Sequence, residues 1–365
     1  MLELLKSEFL GKLEQGAMLS CKNKSVPVMN YVKMDVAEGM LSFTSTDGHN
    51  TIKSSTSAFK CGDDLSVCID ARSVIPYVRM IRDESVCITF EDDGGKMRIK
   101  HSRGVANFPT LAAEDFPVVG VEADMSHYTM PSAKLRDWVS VSRRFVASDN
   151  LRPVMCGMHL YKDGSELGCC ATDGRSLFAD KIMDAEEGSF SVTIDNKVFA
   201  PLLAMLPTCE EVRMSVGEGS VIFKFGFSRL MVTLTEGKYP NFKSVIPDGH
   251  RVAVSVDRGS LVDALQRASI LGNKTSHLVR LDVDGLNLNV AASDLDFSTS
   301  AAEDIACDSS GNITIGLNAD RLSDCLASVS SDRVRILMLE DNRPVIVKDE
   351  GKPGMTLLLM PMMLN

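Results

Sequence analysis

The sequence predicts an α+β fold with extensive antiparallel sheet, built as three tandem copies of one domain. A strand-like run that closes in an aspartate turn occurs three times, at Asp47, Asp173 and Asp294. These aspartates are about 126 and about 121 residues apart, the size of one ordinary domain. Each third also begins with an amphipathic helix candidate and has a second one near its middle. The predicted domains are residues 1–125, 126–248 and 249–365.

The helix candidate that begins each third has apolar residues on one face. The repeat aligns Phe9 with Leu135 and Leu261, and Leu13 with Val139 and Leu265. Ser7 is the expected N-cap of the first helix and Asp257 that of the third, because both side chains accept hydrogen bonds from free backbone N–H groups. The second helix is expected to begin after Pro131 and Ser132.

A second helix candidate follows a short strand in each third, so each domain is expected to consist of two similar halves. These candidates cover residues 71–78, 197–203 and 318–323. Alternating apolar runs at 279–283 and 286–290 predict hairpin strands. The linkers expected at 121–126 and 248–251 are short, which favours rigidly packed domains.

The cysteines and histidines predict neither a metal site nor a catalytic centre. Ten cysteines occur without a C-x-x-C pair, and several lie in apolar strand-like runs, so we expect reduced, buried side chains. The six histidines lack ligand spacing: His49, His101, His127, His159, His250 and His277. The three repeated aspartates are expected in Asx-type turns. We therefore expect no enzyme activity, no metal and no cofactor.

The charge distribution does not exclude a protein whose positive charge is gathered on one surface. A net charge of −10 argues against a conventional nucleic-acid binder, but the helix candidates are rich in basic residues. These are Lys6, Lys12, Lys134, Arg136, Arg143, Arg144, Lys197, Arg258 and Arg267. Acidic runs lie elsewhere, at 63–64, 91–93, 114–115 and 186–187. The alternative is that these helix faces are merely solvated.

No stretch approaches the roughly 20 apolar residues of a membrane helix, and a cytoplasmic protein is expected.

Four segments in a fixed order carry a family resemblance. They are residues 152–158 (RPVMCGM), 171–177 (ATDGRSL), 238–242 (KYPNF) and 359–364 (LMPMML). Together they resemble the bacterial DNA polymerase III beta sliding clamps over the whole chain. The resemblance implies tandem DNA-clamp domains and a head-to-tail homodimer that closes into a ring around duplex DNA. Helices would line the hole and antiparallel sheets would form the outside.

The resemblance also implies partners and a division of labour. The ring would tether the DNA polymerase III catalytic subunit, and other polymerases and repair proteins through short linear peptides. A separate clamp-loader ATPase would place it on DNA, and the lack of a G-x-x-x-x-G-K-[ST] string in this chain agrees with that. DNA would be held topologically, since strong phosphate contacts would stop sliding.

Candidate site residues come from the resemblance position by position. Those that match or neighbour DNA-contacting positions are Lys22, Lys24, Arg72, Arg152 and Lys197. Those of the partner-peptide cleft are Met155, Thr172, Gly174, Arg175, Leu177, Pro240, Val245, Leu358, Leu359, Met360, Pro361 and Met362. Those of the dimer interface are Phe108 in the first domain and Ile270 and Leu271 in the third. Partner peptides would offer a glutamine near Met360 and apolar anchors for a pocket of Leu177, Val245 and Met362.

The apolar end of the chain has two interpretations. Leu357 and Leu359 suit a final core strand, whereas a strand inside a sheet cannot continue through Pro361. Exposed methionines suit the recognition of different peptides, because thioether chains repack easily. The chain differs from the family at Arg175-Ser176, where His-Arg is common, and at Ser244, where arginine is frequent. The segment 152–154 also replaces an aromatic-rich one associated with single-strand contact.

Three alternatives remain at this point. An enzyme would need a convergent triad or metal set, which the sequence does not suggest. The two-domain clamps of archaea, eukaryotes and some phages are disfavoured by three repeats in one chain. A non-ring peptide-binding scaffold would use the cleft alone, and the oligomeric mass distinguishes it from a ring of two chains.

Overall fold

The computed structural model describes residues 1–20, 26–59, 64–91, 95–117, 124–149, 151–206 and 210–364. These residues form two compact units, Met1–Asp137 with Lys197–Leu234, and Trp138–Asn196 with Thr235–Asn365. Each unit contains one continuous sheet in which neighbouring strands are antiparallel. The predicted α+β class with extensive antiparallel sheet is confirmed.

The first third of the chain contains two helices packed against strands. The strands are β1 (Leu2–Leu5), β2 (Val32–Ala37), β3 (Met40–Thr46), β4 (Thr51–Thr56), β5 (Leu65–Ile69), β6 (Ser85–Glu91), β7 (Lys96–His101) and β8 (Gly104–Ala112). The helices are α1 (Lys6–Gly16) and α2 (Ala71–Met80). Phe9 and Leu13 of α1 are fully buried, and the Phe9 ring meets the Phe43 ring edge-on with centroids 5.5 Å apart. The predicted apolar face of α1 is therefore its core face.

The middle third repeats this pattern with longer strands. Its strands are β9 (Ser126–Pro131), β10 (Gly157–Thr172), β11 (Ser176–Asp195), β12 (Glu211–Val216), β13 (Ser220–Phe225) and β14 (Ser228–Thr233). Its helices are α3 (Ser132–Ser142) and α4 (Phe199–Met205). The candidate at 197–203 is a 3-10 turn, Asn196–Val198, followed by α4. Leu135 and Val139 are fully buried, as their alignment with Phe9 and Leu13 predicts.

The last third completes the second unit. Its strands are β15 (Val252–Asp257), β16 (Leu278–Asp284), β17 (Asn287–Asp294), β18 (Thr299–Ser309), β19 (Ile313–Asn318), β20 (Arg333–Met338), β21 (Val345–Asp349) and β22 (Thr356–Leu359). Its helices are α5 (Arg258–Leu271) and α6 (Ala319–Ser328). In β16, Val279, Leu281 and Val283 are buried and alternate with more exposed residues, as expected of a sheet with one face on the core.

The strand order links each third of the chain to the next. The first unit has the order β1-β6-β7-β8-β5-β2-β3-β4-β14-β13-β12-β9, and the second has β10-β11-β22-β21-β20-β15-β18-β17-β16-β19. The first third joins the middle third through β4 and β14, and the middle third joins the last through β11 and β22. The strands of the middle third are thus divided between the two sheets.

The two predicted N-caps have different outcomes. Asp257 caps α5, and its Oδ1 accepts a hydrogen bond from the Ser260 backbone N at 2.7 Å. The prediction for Ser7 is wrong, because α1 begins at Lys6 directly after β1. Leu5 is extended at the cap position, and the Lys6 backbone N donates to the Glu84 carbonyl at 2.7 Å. The chain therefore enters α1 without a separate capping residue.

The described cysteines form no disulfide bonds with one another, and most are buried. Cys68, Cys156, Cys169, Cys170, Cys307 and Cys325 are buried, and Cys87 is half-buried. Cys21, Cys61 and Cys209 lie outside the described residues, as does part of the linker predicted at 121–126. Among the helices that the structure describes, none is both long and apolar enough to span a membrane.

Candidate functional site

The three repeated aspartates form the same turn. Asp173 Oδ1 accepts hydrogen bonds from the backbone N of Arg175 at 2.9 Å and of Ser176 at 2.7 Å. Asp47 accepts in the same way from His49 and Asn50, and Asp294 from Asp296 and Phe297. The prediction of Asx-type turns is confirmed. The turn that contains Asp173, residues 172–176, is called the Asp173 turn below, and the others are named likewise.

The C-terminal segment is hydrogen-bonded to the Asp173 turn. Ser176 pairs with Leu359, and Leu177 with Leu358, in the register of β11 and β22. One residue further on, the Met360 backbone N donates to the Arg175 carbonyl at 2.8 Å. The structure thus brings the turn and the chain end together, although they are far apart in sequence.

A buried apolar cluster lies under this junction. It consists of Cys170, Leu177, Ala179, Tyr239 and Leu358, with the half-buried Val154, Phe242 and Ile246 packed against it. Leu177 and Leu358 are each only 2% exposed. Pro240, Val245 and Met360, which the resemblance also assigns to the cleft, are exposed.

Met155 and Thr172, two further residues predicted for the cleft, are buried next to Gly174 or within the Asp173 turn. The Thr172 hydroxyl donates to the Ser176 carbonyl at 2.7 Å across the turn. Gly174 has a φ of +85°, and the Met155 methyl group would be 3.4 Å from a Cβ at this position. Glycine satisfies both the backbone geometry and the close approach of Met155. Arg175 is exposed at the rim.

The tail after β22, residues 360–364, crosses the end of β19. The Met362 backbone N donates to the Gly316 carbonyl at 2.8 Å and forms an isolated β-bridge. A Cβ at Gly316 would be 2.6 Å from the Met362 carbonyl oxygen, so glycine is required for this crossing. The strand ends before Pro361, as predicted, and Met363 is exposed.

Two aromatic contacts hold the segment 238–246 against β10. The Tyr239 ring stacks on the His159 ring with centroids 4.5 Å apart, and the Phe242 ring lies 5.7 Å from the Tyr161 ring. Burial lowers the pKa of His159 to about 4, so its ring is neutral near pH 7. The Lys243 ammonium lies 4.9 Å from the centre of the Tyr161 ring.

The Glu166 carboxylate also holds the segment 238–246, through an ion pair with Lys243. It accepts hydrogen bonds from Lys181 at 2.6 Å, from the Tyr161 hydroxyl at 3.0 Å and from Lys243 at 3.2 Å. The bond from Lys181 is the largest cause that lowers the pKa of Glu166 to about 2. Pro240 and Val245 therefore lie on a segment that is held by ring contacts and by the ionised carboxylate of Glu166.

Arg321 of α6 holds the Asp173 turn from the last third. Its Nη2 is 2.5 Å from Asp173 Oδ2, and its Nη1 donates to the Arg144 carbonyl at 3.2 Å. The Asp173 side chain is nearly buried. The roles of Arg321, Glu166, Tyr239 and Gly316 were not predicted from the sequence, because they depend on long-range pairing that no local motif signals.

The predicted DNA-contacting residues that the structure describes belong to both units. Arg72 is exposed in the first turn of α2 and is bonded to the Asp70 carboxylate, with Nε to Oδ1 at 2.8 Å. Lys197 is exposed in the 3-10 turn before α4. Arg152 is exposed beside Met155 in the other unit. Lys22 and Lys24 lie outside the described residues.

The predicted interface residues lie near two strand edges. Phe108 of β8 is half-buried, and its ring meets the Tyr77 ring edge-on at 5.6 Å. Ile270 and Leu271 form the last turn of α5 and are 68% and 39% exposed. An apolar core role for both is excluded by this exposure.

One further cavity lies beside the tail. It has a volume of about 670 Å³ and is lined by Leu278, Arg280, Ala291, Ala302 and Leu364, among others. It shares no residue with the predicted cleft. In the part of the chain that the structure describes, no group of three or more His, Cys, Asp or Glu side chains is placed to hold a metal ion.

Family comparisons agree with this architecture over almost the whole chain. The model of the DNA polymerase III beta subunit N-terminal domain matches residues 2–120, that of the central domain residues 129–241, and that of the C-terminal domain residues 243–363. The beta sliding clamp of Salmonella typhimurium is 26% identical over 93% of each chain. That of Pseudomonas aeruginosa is 25% identical over 94% of each.

Solved structures share the fold. A crystal structure of a sliding clamp (DNA polymerase III subunit beta) from Pseudomonas aeruginosa bound to griselimycin has a TM-score of 0.94 at 24% identity and covers 99% of each chain. Three clamp domains in tandem define this chain as a DNA clamp. It belongs to the DNA polymerase III beta subunit family. Its function is that of a DNA sliding clamp, a processivity factor in replication and not an enzyme.

Proposed function

We propose that two copies of this chain associate head to tail into a closed ring around duplex DNA. The ring would have domains 1–125, 126–248 and 249–365 in each copy. It would tether the DNA polymerase III catalytic subunit through the cleft near the C-terminus. The observation that carries the proposal is a strand pairing that occurs twice within the chain and is left open a third time.

The pairing obeys one rule. The strand after the Asp47 turn, β4, pairs with β14, the last strand of the next third. The strand after the Asp173 turn, β11, pairs with β22, the last strand of the third after that. The strand after the Asp294 turn, β18, has no later third in the chain to pair with. By the same rule its partner is the last strand of the first third, β8, of a second copy.

Both strands named by this rule have a free edge. Residues 104–109 of β8 pair with β7 on one side, and residues 299–306 of β18 pair with β17 on one side. Among the described residues, the neighbours on the other side, β5 and β15, pair only with residues 110–112 and 307–309. Edge strands of this length are normally covered.

Charge and apolar surface are complementary at these edges. Lys100 of β7 and Arg103 of the β7–β8 turn are exposed, whereas β18 carries the exposed Asp304 and Glu303, whose carboxylate is paired with Arg267. Pairing two different surfaces brings opposite signs together, and such heterologous contacts close into a ring when the rotation allows it. Phe108 near one edge and the exposed Ile270 and Leu271 near the other would bury apolar area in the same contact.

The DNA interaction would be topological. The excess acid of the chain opposes tight binding, and the proposed contacts, Lys22, Lys24, Arg72, Arg152 and Lys197, neutralise only a few phosphates. A clamp-loader ATPase would open and place the ring in the cytoplasm. Other polymerases and repair proteins would bind the same cleft through short linear peptides, with apolar anchors in a pocket of Leu177, Val245 and Met362.

A retention experiment tests the ring. The protein is loaded by a bacterial clamp loader and ATP onto nicked circular DNA, and half of the sample is then cut once with a restriction enzyme. We expect the clamp to stay on the circle and to leave the linear DNA, while light scattering of the free protein gives the mass of two chains. Equal retention on both templates, or a monomer at micromolar concentration, would contradict the proposal.

A further inference from the structure

Four basic residues stand directly opposite one another across four neighbouring strands of the first unit. Lys53 of β4 pairs with Arg229 of β14, and Arg229 pairs with Lys224 of β13. Lys224 in turn pairs with Arg213 of β12. We call these four residues the cation row. Neighbouring strands are about 4.8 Å apart, so the row places one cation about every 4.8 Å across the sheet.

The cation row lies on the face of the sheet opposite the helices. Ile52 and Ser54, on either side of Lys53, are buried, and the Ser54 hydroxyl is hydrogen-bonded to Gln15 of α1 at 3.0 Å. Val212 and Met214 are buried on either side of Arg213 in the same way. Since side chains alternate between faces along a strand, the four cations share the outward face.

The row is not neutralised within the described residues. Arg213, Lys224 and Arg229 are exposed and Lys53 is half-buried, and none of them forms an ion pair in the part of the chain that the structure describes. The acids on this face lie to its sides. Glu211 is two residues from Arg213 on β12, and Asp35 is paired with Lys33 at 3.1 Å.

Such an arrangement is unfavourable for the folded protein alone. Like charges directly opposite each other on adjacent strands destabilise a sheet. The chain has ten more acidic than basic residues, yet it places four cations in register and no acid between them. A bound polyanion would offset this repulsion. The row therefore indicates a ligand with closely spaced negative charges.

An exposed aromatic ring adjoins the row. Phe227 is 69% exposed in the two-residue turn that joins β13 to β14, next to the Phe225–Ser228 pair and one pair beyond Lys224 and Arg229. Aromatic rings beside basic tracks are the stacking platforms of single-strand binders, because every base has a π-face. An acidic peptide would use the cations but would have no equivalent need for the ring.

We propose that the cation row, with Phe227, binds single-stranded nucleic acid on the outer face of this sheet. The two arginines would hold phosphates with paired N–H groups, the two lysines would act as point charges, and Phe227 would stack on a base. The site is separate from the residues proposed to contact encircled duplex DNA, and it does not depend on ring closure.

The test measures binding of a fluorescein-labelled oligodeoxythymidine by anisotropy at low salt, without clamp loader. We expect Lys224→Glu/Arg229→Glu to weaken binding about tenfold or more and to reduce the salt dependence, since two phosphates lose their partners. Phe227→Ala should weaken it roughly tenfold at unchanged salt dependence. The control is Arg335→Glu/Arg343→Glu, which changes the net charge equally at exposed positions of the last third and should have little effect.

Each outcome decides the proposal. Equal losses in the charge-swap variant and its control would overturn it, as would loss only in Arg72→Glu/Lys197→Glu, which would place the oligonucleotide elsewhere. Binding insensitive to Phe227→Ala but displaced by poly-glutamate would indicate an acidic peptide ligand and would also overturn it. If the charge-swap variant does not fold, as judged by circular dichroism, Lys224→Gln/Arg229→Gln replaces it with the same expected direction.

Discussion

The Asp173 and Asp294 turns have the same local hydrogen bonds but very different surroundings. The Asp173 turn is covered by the last third of the chain, through the Met360 N–H and the Arg321 guanidinium. Within the described residues, the Asp294 turn is hydrogen-bonded only to its own third, for example from Asn273 at 3.3 Å. The difference teaches that the repeated motif builds the turn, whereas a segment from another third of the chain determines whether the turn is covered.

The Asp294 turn, which no other third of the chain covers among the described residues, has two strongly exposed apolar side chains. Leu295 and Phe297 are 89% and 78% exposed. At the Asp47 turn the equivalent contact exists, because Thr233 of the next third donates to the His49 carbonyl at 2.5 Å. The Asp294 turn is therefore where a neighbour is missing in the single chain, which agrees with the proposed contact to a second copy.

The largest expected effect is on the covered turn. Deleting Met360 to Asn365 should abolish binding of a peptide that has a glutamine followed by leucine and phenylalanine anchors. The tail is proposed to form one wall of the cleft, and few anchors carry most of the binding energy. β22 ends at Leu359 and stays intact, so the dimer should persist. Titration calorimetry measures the affinity, with the exposed Met363→Ser as control. Unchanged affinity in a folded, dimeric truncation would show that the cleft assignment is wrong.

The next effect concerns the uncovered turn. Leu295→Asp/Phe297→Asp should weaken the dimer by at least about 2 kcal/mol, since it places charge where apolar surface is expected to be desolvated. Phe227→Asp, at a similarly exposed ring of the other unit, should leave the dimer unchanged. Sedimentation equilibrium measures the dissociation constant, and Ile270→Asp should act in the same direction. If the dimer dissociation constant is the same in all variants, the Asp294 turn is not part of the interface.

A smaller effect is expected from the link between α6 and the Asp173 turn. Arg321→Ala leaves the nearly buried Asp173 carboxylate without its guanidinium partner, which costs about 1.5–3 kcal/mol for a hydrogen bond to a charged group. We expect peptide affinity to fall about tenfold as the turn loosens. Arg335→Ala, at an exposed arginine, is the control. Full affinity in a destabilised Arg321→Ala protein would mean that the link stabilises the fold without shaping the cleft.

The smallest effect is pH-dependent and concerns Glu166. The folded-state pKa of Glu166 is lowered from 4.5 to about 2, so its contribution to stability is complete above about pH 4.5 and is lost as the pH falls toward about 2. The difference in unfolding free energy between wild type and Glu166→Gln should be below about 1 kcal/mol near pH 7 and should shrink near pH 3. Urea unfolding measures it, with the exposed Glu187→Gln as control. A difference that grows on acidification would contradict the assignment.

Local sequence chemistry predicted the repeated parts of the molecule. The aspartate turns, the helix faces built on Phe9 and Leu261, and the end of the last strand before Pro361 all result from hydrogen-bond capacity, periodicity and the missing proline N–H. The failure at Ser7 has a physical cause as well. A cap is needed only where the first N–H groups are free, and β1 already places Lys6 against Glu84.

The remaining features depend on strand register, which a single sequence does not reveal. The bond between Arg321 and Asp173, the crossing of the tail at Gly316 and the alignment of Lys53 with Arg229 each join distant segments. A shift of one residue in the pairing of β4 with β14 would move the β4 side chains to the other face of the sheet. The dimer, DNA and cleft residues named from the family remain predictions.

The division of the middle third between two sheets has a consequence for unfolding. β9 and β12–β14 complete the sheet of the first unit, while β10 and β11 belong to that of the second. In amide hydrogen exchange, proteins open in roughly contiguous cooperative units of structure, and these need not coincide with repeats in the sequence. The chain should accordingly lose protection in two blocks rather than three, with the boundary inside the middle repeat, so that neither end of the molecule can melt without loosening part of the centre.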